Sequence, residues 1–369
     1  MPDGVAVAQR EIGRRSGELP GPTLIAVAGI HGNEPAGVHA ARRLFAQLAG
    51  LPFRGELVVY AGNLGGIRRG VRYLSKDLNR VWTDQRLSAL RERAPQDAED
   101  LEQLELSAAI EEARARARGL VHLIDLHTTS AAGIPFMLIG DTLPQRRFIG
   151  AFPIPVVLGL EEELDGVLSA HWTRRGFITA AVEGGQHDDP VTIGSLEAVL
   201  WVALAQAGCL DRSLEPVARA TALLDRQRGG LPRVMEVLSR RAISPEDQFR
   251  MEPGFRNIDR ARGGQLLARD RQGEIRAASD GLVIMPLYQG LGGDGFFWGR
   301  AVSSKSLRVS ALLQRLGAAR LLGLLPGVAR VSAGKFSVAR GQWLGLLRLL
   351  GYRRIRKSGA GVTVERGVS

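Results

Sequence analysis

The chain holds one cysteine, Cys209, in 369 residues. No internal disulfide can form, so stability has to come from a packed core, and this usage fits a reducing compartment. No stretch reaches the ~18 uninterrupted apolar residues of a membrane span. The start, Met1-Pro2-Asp3-Gly4-Val5, lacks the basic region followed by an apolar core that marks a secretory leader. A soluble, cytoplasmic protein is the expectation. Neither zinc-finger spacing nor a recognition-helix pattern occurs, so sequence-specific nucleic-acid binding is not expected. Acidic residues are almost missing from the C-terminal end: positions 300–369 carry one Asp or Glu against 14 Lys and Arg, while the other 299 residues hold 37 and 35. The formal net charge of +11 therefore describes a basic tail on a near-neutral body.

A hydrophobic content of 45% is enough to bury a full core, and the length suggests two domains with a small appendix. The most informative stretch follows the short apolar run Thr23-Leu24-Ile25-Ala26-Val27-Ala28, which reads as a buried strand. It ends in Gly29-Ile30-His31-Gly32-Asn33-Glu34. In an open α/β sheet, ligands sit outside the carboxyl ends of strands. Here an imidazole and a carboxylate stand three residues apart, with Gly32 letting the backbone turn tightly between them. A hydrolytic zinc site needs a third protein ligand and an open position. A second run, Leu120 to Leu126, delivers His127, and a third, Phe177 to Val182, delivers Glu183. Strand ends bearing His and Glu, His, and Glu are the parts of metal-assisted hydrolysis.

Four blocks stand in order: His31-Gly32-Asn33-Glu34; Asn63 with Arg72-Tyr73 and Asp77-Leu78-Asn79-Arg80; Asp125-Leu126-His127-Thr128-Thr129; and Val182-Glu183-Gly184-Gly185. Together, from about residue 20 to 300, they resemble the succinylglutamate desuccinylase/aspartoacylase family of zinc carboxypeptidase-like deacylases. The resemblance implies an α/β fold with a mixed, mostly parallel sheet and helices on both faces. It implies Zn²⁺ held by His31, Glu34 and His127, and Glu183 as the base that activates water. Arg72 would polarise the scissile carbonyl, and Asn79 and Arg80 would hold the carboxylate of a small N-acylated amino-acid-like substrate. Arg suits that task because its planar fork meets a carboxylate through two parallel hydrogen bonds. Ser75-Lys76 precedes Asp77 where relatives commonly carry an acidic residue, and no Tyr and Arg match the acyl-carboxylate contacts near 165–175, although Arg174 and Arg175 are close. The acyl group therefore stays open. So do two rivals, a metallo-carboxypeptidase acting on short peptides and a non-catalytic scaffold presenting its basic tail.

Residues 1–210 are expected to form the catalytic domain, 211–300 a small β domain over the active-site mouth, and 301–369 a basic, partly amphipathic, helical extension. Asn63 to Arg80 reads as a polar loop and 84–119 as surface helix with solvated charges. Glu161-Glu162-Glu163 reads as a solvated loop, and 210–230 as a charged linker. Asp125 would share a face with His127 and orient it, whereas His122 would point to the other face. His39 reads as an ordinary helix-face histidine. The apolar runs Leu312 to Leu316 and Trp343 to Leu350 are helix candidates, the second followed by Arg353-Arg354-Ile355-Arg356-Lys357. Such basic amphipathic stretches suit a membrane surface, an acidic partner, or packing on the body or on a second subunit.

Overall fold

The computed structural model describes residues 9–289, 292–332, 334–339, 341–358 and 361–366. In chain order the body contains β1 (Glu11–Ser16), β2 (Leu19–Ala28), α1 (Ala36–Leu48), β3 (Arg54–Ala61), α2 (Leu64–Arg69), α3 (Asp84–Glu92), α4 (Ala98–Arg116) and β4 (Val121–Thr129). There follow β5 (Phe136–Ile139), α5 (Leu143–Ile149), β6 (Val156–Leu158), α6 (Leu168–Arg174), β7 (Ile178–Gln186), α7 (Pro190–Ala207) and α8 (Glu215–Arg228). The next strands are β8 (Val234–Ala242), β9 (Arg250–Met251), β10 (Asp259–Ala261), β11 (Leu266–Asp270), β12 (Gly273–Arg276), β13 (Gly281–Ile284) and β14 (Asp294–Ala301).

An 11-stranded sheet runs in the order β1-β3-β2-β4-β7-β5-β6-β8-β14-β13-β10. It is parallel through β3, β2, β4 and β7, and again through β5, β6 and β8; the junction β7/β5 and both ends are antiparallel. Strands buried on both faces read as unbroken apolar runs, which is why Leu24 to Ala28 are wholly buried. One layer packs around α1, α7 and α8, with Leu44, Leu196 and Leu200 at its centre, and the other around Trp82, Leu106 and Trp172. Strands β8, β14, β13 and β10 carry this same sheet onward, and β12, β11 and β9 form a separate three-stranded sheet beside it.

Three segments differ from the sequence expectation. Residues 215–228 are a helix rather than a linker, because Val217, Ala220 and Leu224 recur on one buried face against α7 while the charges face water. Within the Asn63–Arg80 stretch, α2 forms with Asn63 as its cap, the side chain accepting from the Gly66 N–H at 2.8 Å. The tail contains α9 (Ser304–Arg315) and α10 (Leu344–Leu349), and also a four-stranded antiparallel sheet of β15 (Val328–Ser332), β16 (Lys335–Val338), β17 (Tyr352–Ser358) and β18 (Gly361–Arg366). Its own core gathers Leu322, Phe336, Val338, Leu347 and Val364.

The tail is fastened by Arg353 on β17. Its guanidinium is buried, donates to Asp141 Oδ2 at 3.0 and 3.1 Å, and pairs with Glu236 on β8. Arg146 and Arg300 complete the two carboxylates' partners, at 2.6 and 2.8 Å. Removing one member of a buried ion network leaves uncompensated charge, which costs far more than losing an exposed pair. Arg353→Met should destabilise the chain by about 3 kcal/mol, whereas Arg354→Gln, which loses the pair with exposed Asp165 and a long contact to Glu365 at 3.9 Å, should cost under about 1 kcal/mol. Chemical unfolding of both variants measures the difference.

Candidate metal and catalytic site

The carboxyl ends of β2, β4 and β7 deliver His31, His127 and Glu183 to one side of the sheet. The His31–Glu34 turn is held in place by a close approach: a Cβ on Gly32 would lie 2.0 Å from the Gly66 carbonyl carbon of α2. Contact with α2 therefore explains this glycine; the left-handed backbone of the turn sits at Gly29, with φ of 70°.

Glu34 stands between two imidazoles. Its Oε1 is 2.8 Å from His31 Nδ1, and its Oε2 is 3.2 Å from His127 Nδ1 and accepts from the Thr128 N–H at 3.0 Å. One ligand atom from each of His31, Glu34 and His127 lies within 4.8 Å of the other two, and all three residues are buried. The far nitrogen of each ring is backed by a carboxylate: His31 Nε2 lies 3.1 Å from Asp77 Oδ1, and His127 Nε2 lies 2.8 Å from Asp125 Oδ2. Carboxylate-backed imidazoles whose free nitrogens converge on a third oxygen ligand form a donor set suited to zinc. Burial alone would raise the Glu34 carboxyl, but the two imidazoles hold it well below the usual carboxylate range. Asp77 is likewise held low, by His31 and Arg72 against the effect of burial.

Arg72 donates to Asp77 Oδ2 at 3.0 Å and reaches Glu34 Oε1 at 3.4 Å. Asn79 is buried; its amide nitrogen is 3.2 Å from His127 Nε2, and its oxygen accepts from the Leu168 N–H at 2.8 Å. Arg80 reaches Asp294 at 3.4 Å, and Asp294 also pairs with Arg240. Glu183 is paired in register with His127 across β4 and β7, so both side chains share a face. The strand bulges immediately afterwards, with Gly185 at φ of 133°. Glu183 Oε2 is buried without a hydrogen-bond partner among the described residues. Burial, with Glu34 adding to it and His127 and Arg72 opposing, pushes its carboxyl up to about 8. All seven residues singled out in the sequence line one cavity of about 440 Å³, a small-molecule size.

Other residues are placed as follows. His122 is buried on the opposite face against Phe148, His39 lies half-buried on α1, and Arg68 and Arg69 are exposed at the end of α2. Arg174 and Arg175 are not part of the cavity wall; Arg175 pairs with Asp84 at 2.6 Å. Sequence reasoning missed Glu99. Instead of being solvated, it is fully buried, and it accepts from the N–H groups of Leu74 and Ser75 at 2.7 and 2.9 Å and from the Asn63 amide at 3.1 Å, clamping the loop that carries Arg72 and Asp77. It also missed Glu161 and Glu162, which lie buried in a short 3-10 helix rather than in a solvated loop. Glu161 lines the cavity and accepts from Ser169 Oγ.

The match to known proteins follows the same residues. A profile of the succinylglutamate desuccinylase/aspartoacylase catalytic domain matches residues 20–192. A succinylglutamate desuccinylase of Burkholderia thailandensis is 31% identical over 271 residues, spanning 69% of this chain and 72% of that protein. The chain belongs to the succinylglutamate desuccinylase/aspartoacylase family. The shorter match to the Burkholderia pseudomallei desuccinylase, 40% identical over 117 residues, covers 32% of that relative's length and 30% of this chain. Among solved structures of the fold, the Rhodobacter sphaeroides succinylglutamate desuccinylase/aspartoacylase superposes with a TM-score of 0.61 at 18% identity, covering 79% of this chain and 88% of that one. A product-bound ectoine utilization protein of Ruegeria pomeroyi superposes with 0.58 at 20% identity, covering 77% and 87%. As a member of this deacylase family, the chain brings residues from all four sequence blocks to a single cavity, while everything after residue 192, near the start of α7, lies beyond the matched profile.

Two expectations follow from the missed carboxylates. Glu99→Gln removes a charged acceptor from several buried N–H groups, an interaction worth about 2 kcal/mol, and should loosen the 70–80 loop, read as faster amide hydrogen exchange at Leu74 and Ser75. For Glu162, burial and the neighbouring Glu161 charge push the carboxyl from an ordinary 4.5 up to about 8. A folded value above the unfolded one gives stability that is present at low pH and is lost as pH rises through that window. Glu162→Gln should therefore match the parent's melting temperature near pH 5 and exceed it by several degrees near pH 9; a constant difference across pH would contradict this origin.

Proposed function

We propose that the protein is a zinc-dependent hydrolase that cleaves the amide bond of a small N-acyl amino acid or related carboxylate-bearing amide. The observation that carries this reading is the buried His31, Glu34 and His127 trio, each imidazole backed by a carboxylate, with Glu183, whose Oε2 has no partner among the described residues, lining the same cavity. His31, Glu34 and His127 would hold the ion. When bound, the ion supplies Lewis-acid charge that acidifies water and polarises an acyl carbonyl.

The remaining work belongs to the chain's own side chains. Glu183, protonatable near neutral pH because it is buried, accepts a proton from the attacking water at Oε2 and returns it to the leaving amine nitrogen. Amide C–N cleavage then yields a carboxylic acid and a free amine, and transfer of the acid's remaining proton to the amine leaves a carboxylate and an ammonium. Arg72, fixed by Asp77 and Glu34, faces the charge that develops on the carbonyl oxygen; such a donor is typically worth ~3 kcal/mol in the transition state. Arg80 anchors the substrate carboxylate from the mouth, where its ion pair with Asp294 is long enough to be exchanged. Asn79 supports that contact from the cavity wall while steadying His127. Asp125 and Asp77 position the two imidazoles and fix which nitrogen faces the ion. The cavity has room for a small acylated amino acid.

The test combines metal analysis with a panel of N-acyl amino acids and short peptides. One zinc per chain and turnover of N-acyl amino acids are expected. Glu183→Gln should retain the metal and lose ~10²–10⁴-fold in kcat. Unchanged turnover in that variant would overturn the mechanism, and release from peptides alone would assign the protein to the carboxypeptidases.

A further inference from the structure

Large apolar side chains left in water are concentrated in the tail: Val309, Leu312, Leu316, Leu321, Leu324 and Val331 are all exposed, Leu316 to 72% and Leu324 to 79%. Isolated exposed leucines are ordinary, but a cluster marks an interaction surface. The cluster has a helical logic. On α9, Lys305, Arg308, Val309, Leu312, Arg315 and Leu316 follow the spacing of one helix face, and Lys305, Arg308, Val309, Leu312, Arg315 and Leu316 are all exposed. The opposite face turns to the protein, where Ser310 Oγ donates to the Leu349 carbonyl and Leu307 packs on the core. The 3-10 helix Ala318–Leu324, packed against α9, extends the same mixture with Arg320, Leu321 and Leu324.

The charge on this face is uncompensated. Lys305, Arg308, Arg315 and Arg320 form no ion pair among the described residues, and the single carboxylate after residue 300, Glu365, is taken by Lys335 on β16. A second copy of the chain pressed on this face would set like charges against like. A membrane-spanning role is also unsuitable. Helix α9 has 12 residues, about 18 Å by helical rise, too short to cross a bilayer. Helix α7, long and apolar enough by composition, is mostly buried in the core. What complements leucines interleaved with arginines is a surface that is apolar just below a layer of anionic phosphates.

We propose that the face formed by α9 and the 3-10 helix Ala318–Leu324 seats the protein on an anionic phospholipid bilayer. The leucines enter the boundary between headgroups and acyl chains, and the guanidinium groups meet lipid phosphates through paired hydrogen bonds. The basic tail is then a peripheral membrane anchor that carries the hydrolytic body.

The test is flotation of the full chain with vesicles of phosphatidylcholine alone or mixed with phosphatidylglycerol. Binding is expected to the mixed vesicles, weakly or not at all to the zwitterionic ones, and to decline as salt is raised. Arg308→Gln with Arg315→Gln should weaken binding by about 5-fold for each charge removed. Leu316→Asp with Leu324→Asp should abolish it, while circular dichroism, melting temperature and hydrolysis stay unchanged, because neither side chain is in the core. Equal binding to both vesicle types, or undiminished binding by the leucine variant, would overturn the proposal. So would a concentration-dependent dimer that Leu316→Asp dissolves without any vesicle binding, which would assign the face to a second copy.

Discussion

The carboxylate of Glu34 is the constraint around which the rest of the structure is arranged. A buried, ionised carboxyl is expensive unless every oxygen finds a partner. Here two imidazoles, one backbone N–H and the Arg72 guanidinium supply those partners from β2, β4 and the 70–80 loop. Each partner needs its own support, which Asp77, Asp125 and Asn79 provide. The charges thus form a network in which each member compensates another, and the network pins three strand ends and a loop to one point. Glu183 is the exception: its Oε2 sits in the same buried region without a hydrogen-bond partner among the described residues.

The loop that carries Arg72, Asp77, Asn79 and Arg80 has little apolar surface with which to hold itself. It is organised from beneath by Glu99, at the start of α4, which gathers its N–H groups and the Asn63 amide. Lys76 adds a second tie to Asp97 and Asp100 at 2.5 and 2.9 Å. The first turn of α4, acidic as helix starts favour, therefore supports the loop from beneath. The helix dipole and the loop's donors ask for the same negative residues at the same place.

Much of this was legible in the sequence. Buried parallel strands are written as unbroken apolar runs, and the polar residues that end them stand out, so His31, Glu34, His127 and Glu183 could be grouped before any coordinates. The alternation of side chains along β4 placed Asp125 with His127 and His122 on the far side. Burial of Glu99, Glu161 and Glu162 was not legible, because it depends on partners and walls contributed by distant segments. Helix α8 was hidden by its charges, with only three buried apolar positions to announce it. The strands of the tail were hidden in the same way. In Tyr352-Arg353-Arg354-Ile355-Arg356 the arginines dominate the composition, and nothing local says that Arg353 is buried between Asp141 and Glu236 while Arg356 faces water. For Gly32 the residue type was read correctly, but its reason lay in α2, thirty residues away, rather than in the turn itself.

The single sheet that runs from β1 to β10 has a mechanical consequence. Met285, Asp294 and Phe297, which line the cavity, sit on or beside strands joined through β8, β6 and β5 to those that bear His127 and Glu183. Opening the entrance by swinging one half of the molecule from the other would mean tearing a continuous ladder of backbone bonds. A hinge between the two halves is accordingly disfavoured by the fold, and the strands lining the cavity stay in register with those that carry His127 and Glu183.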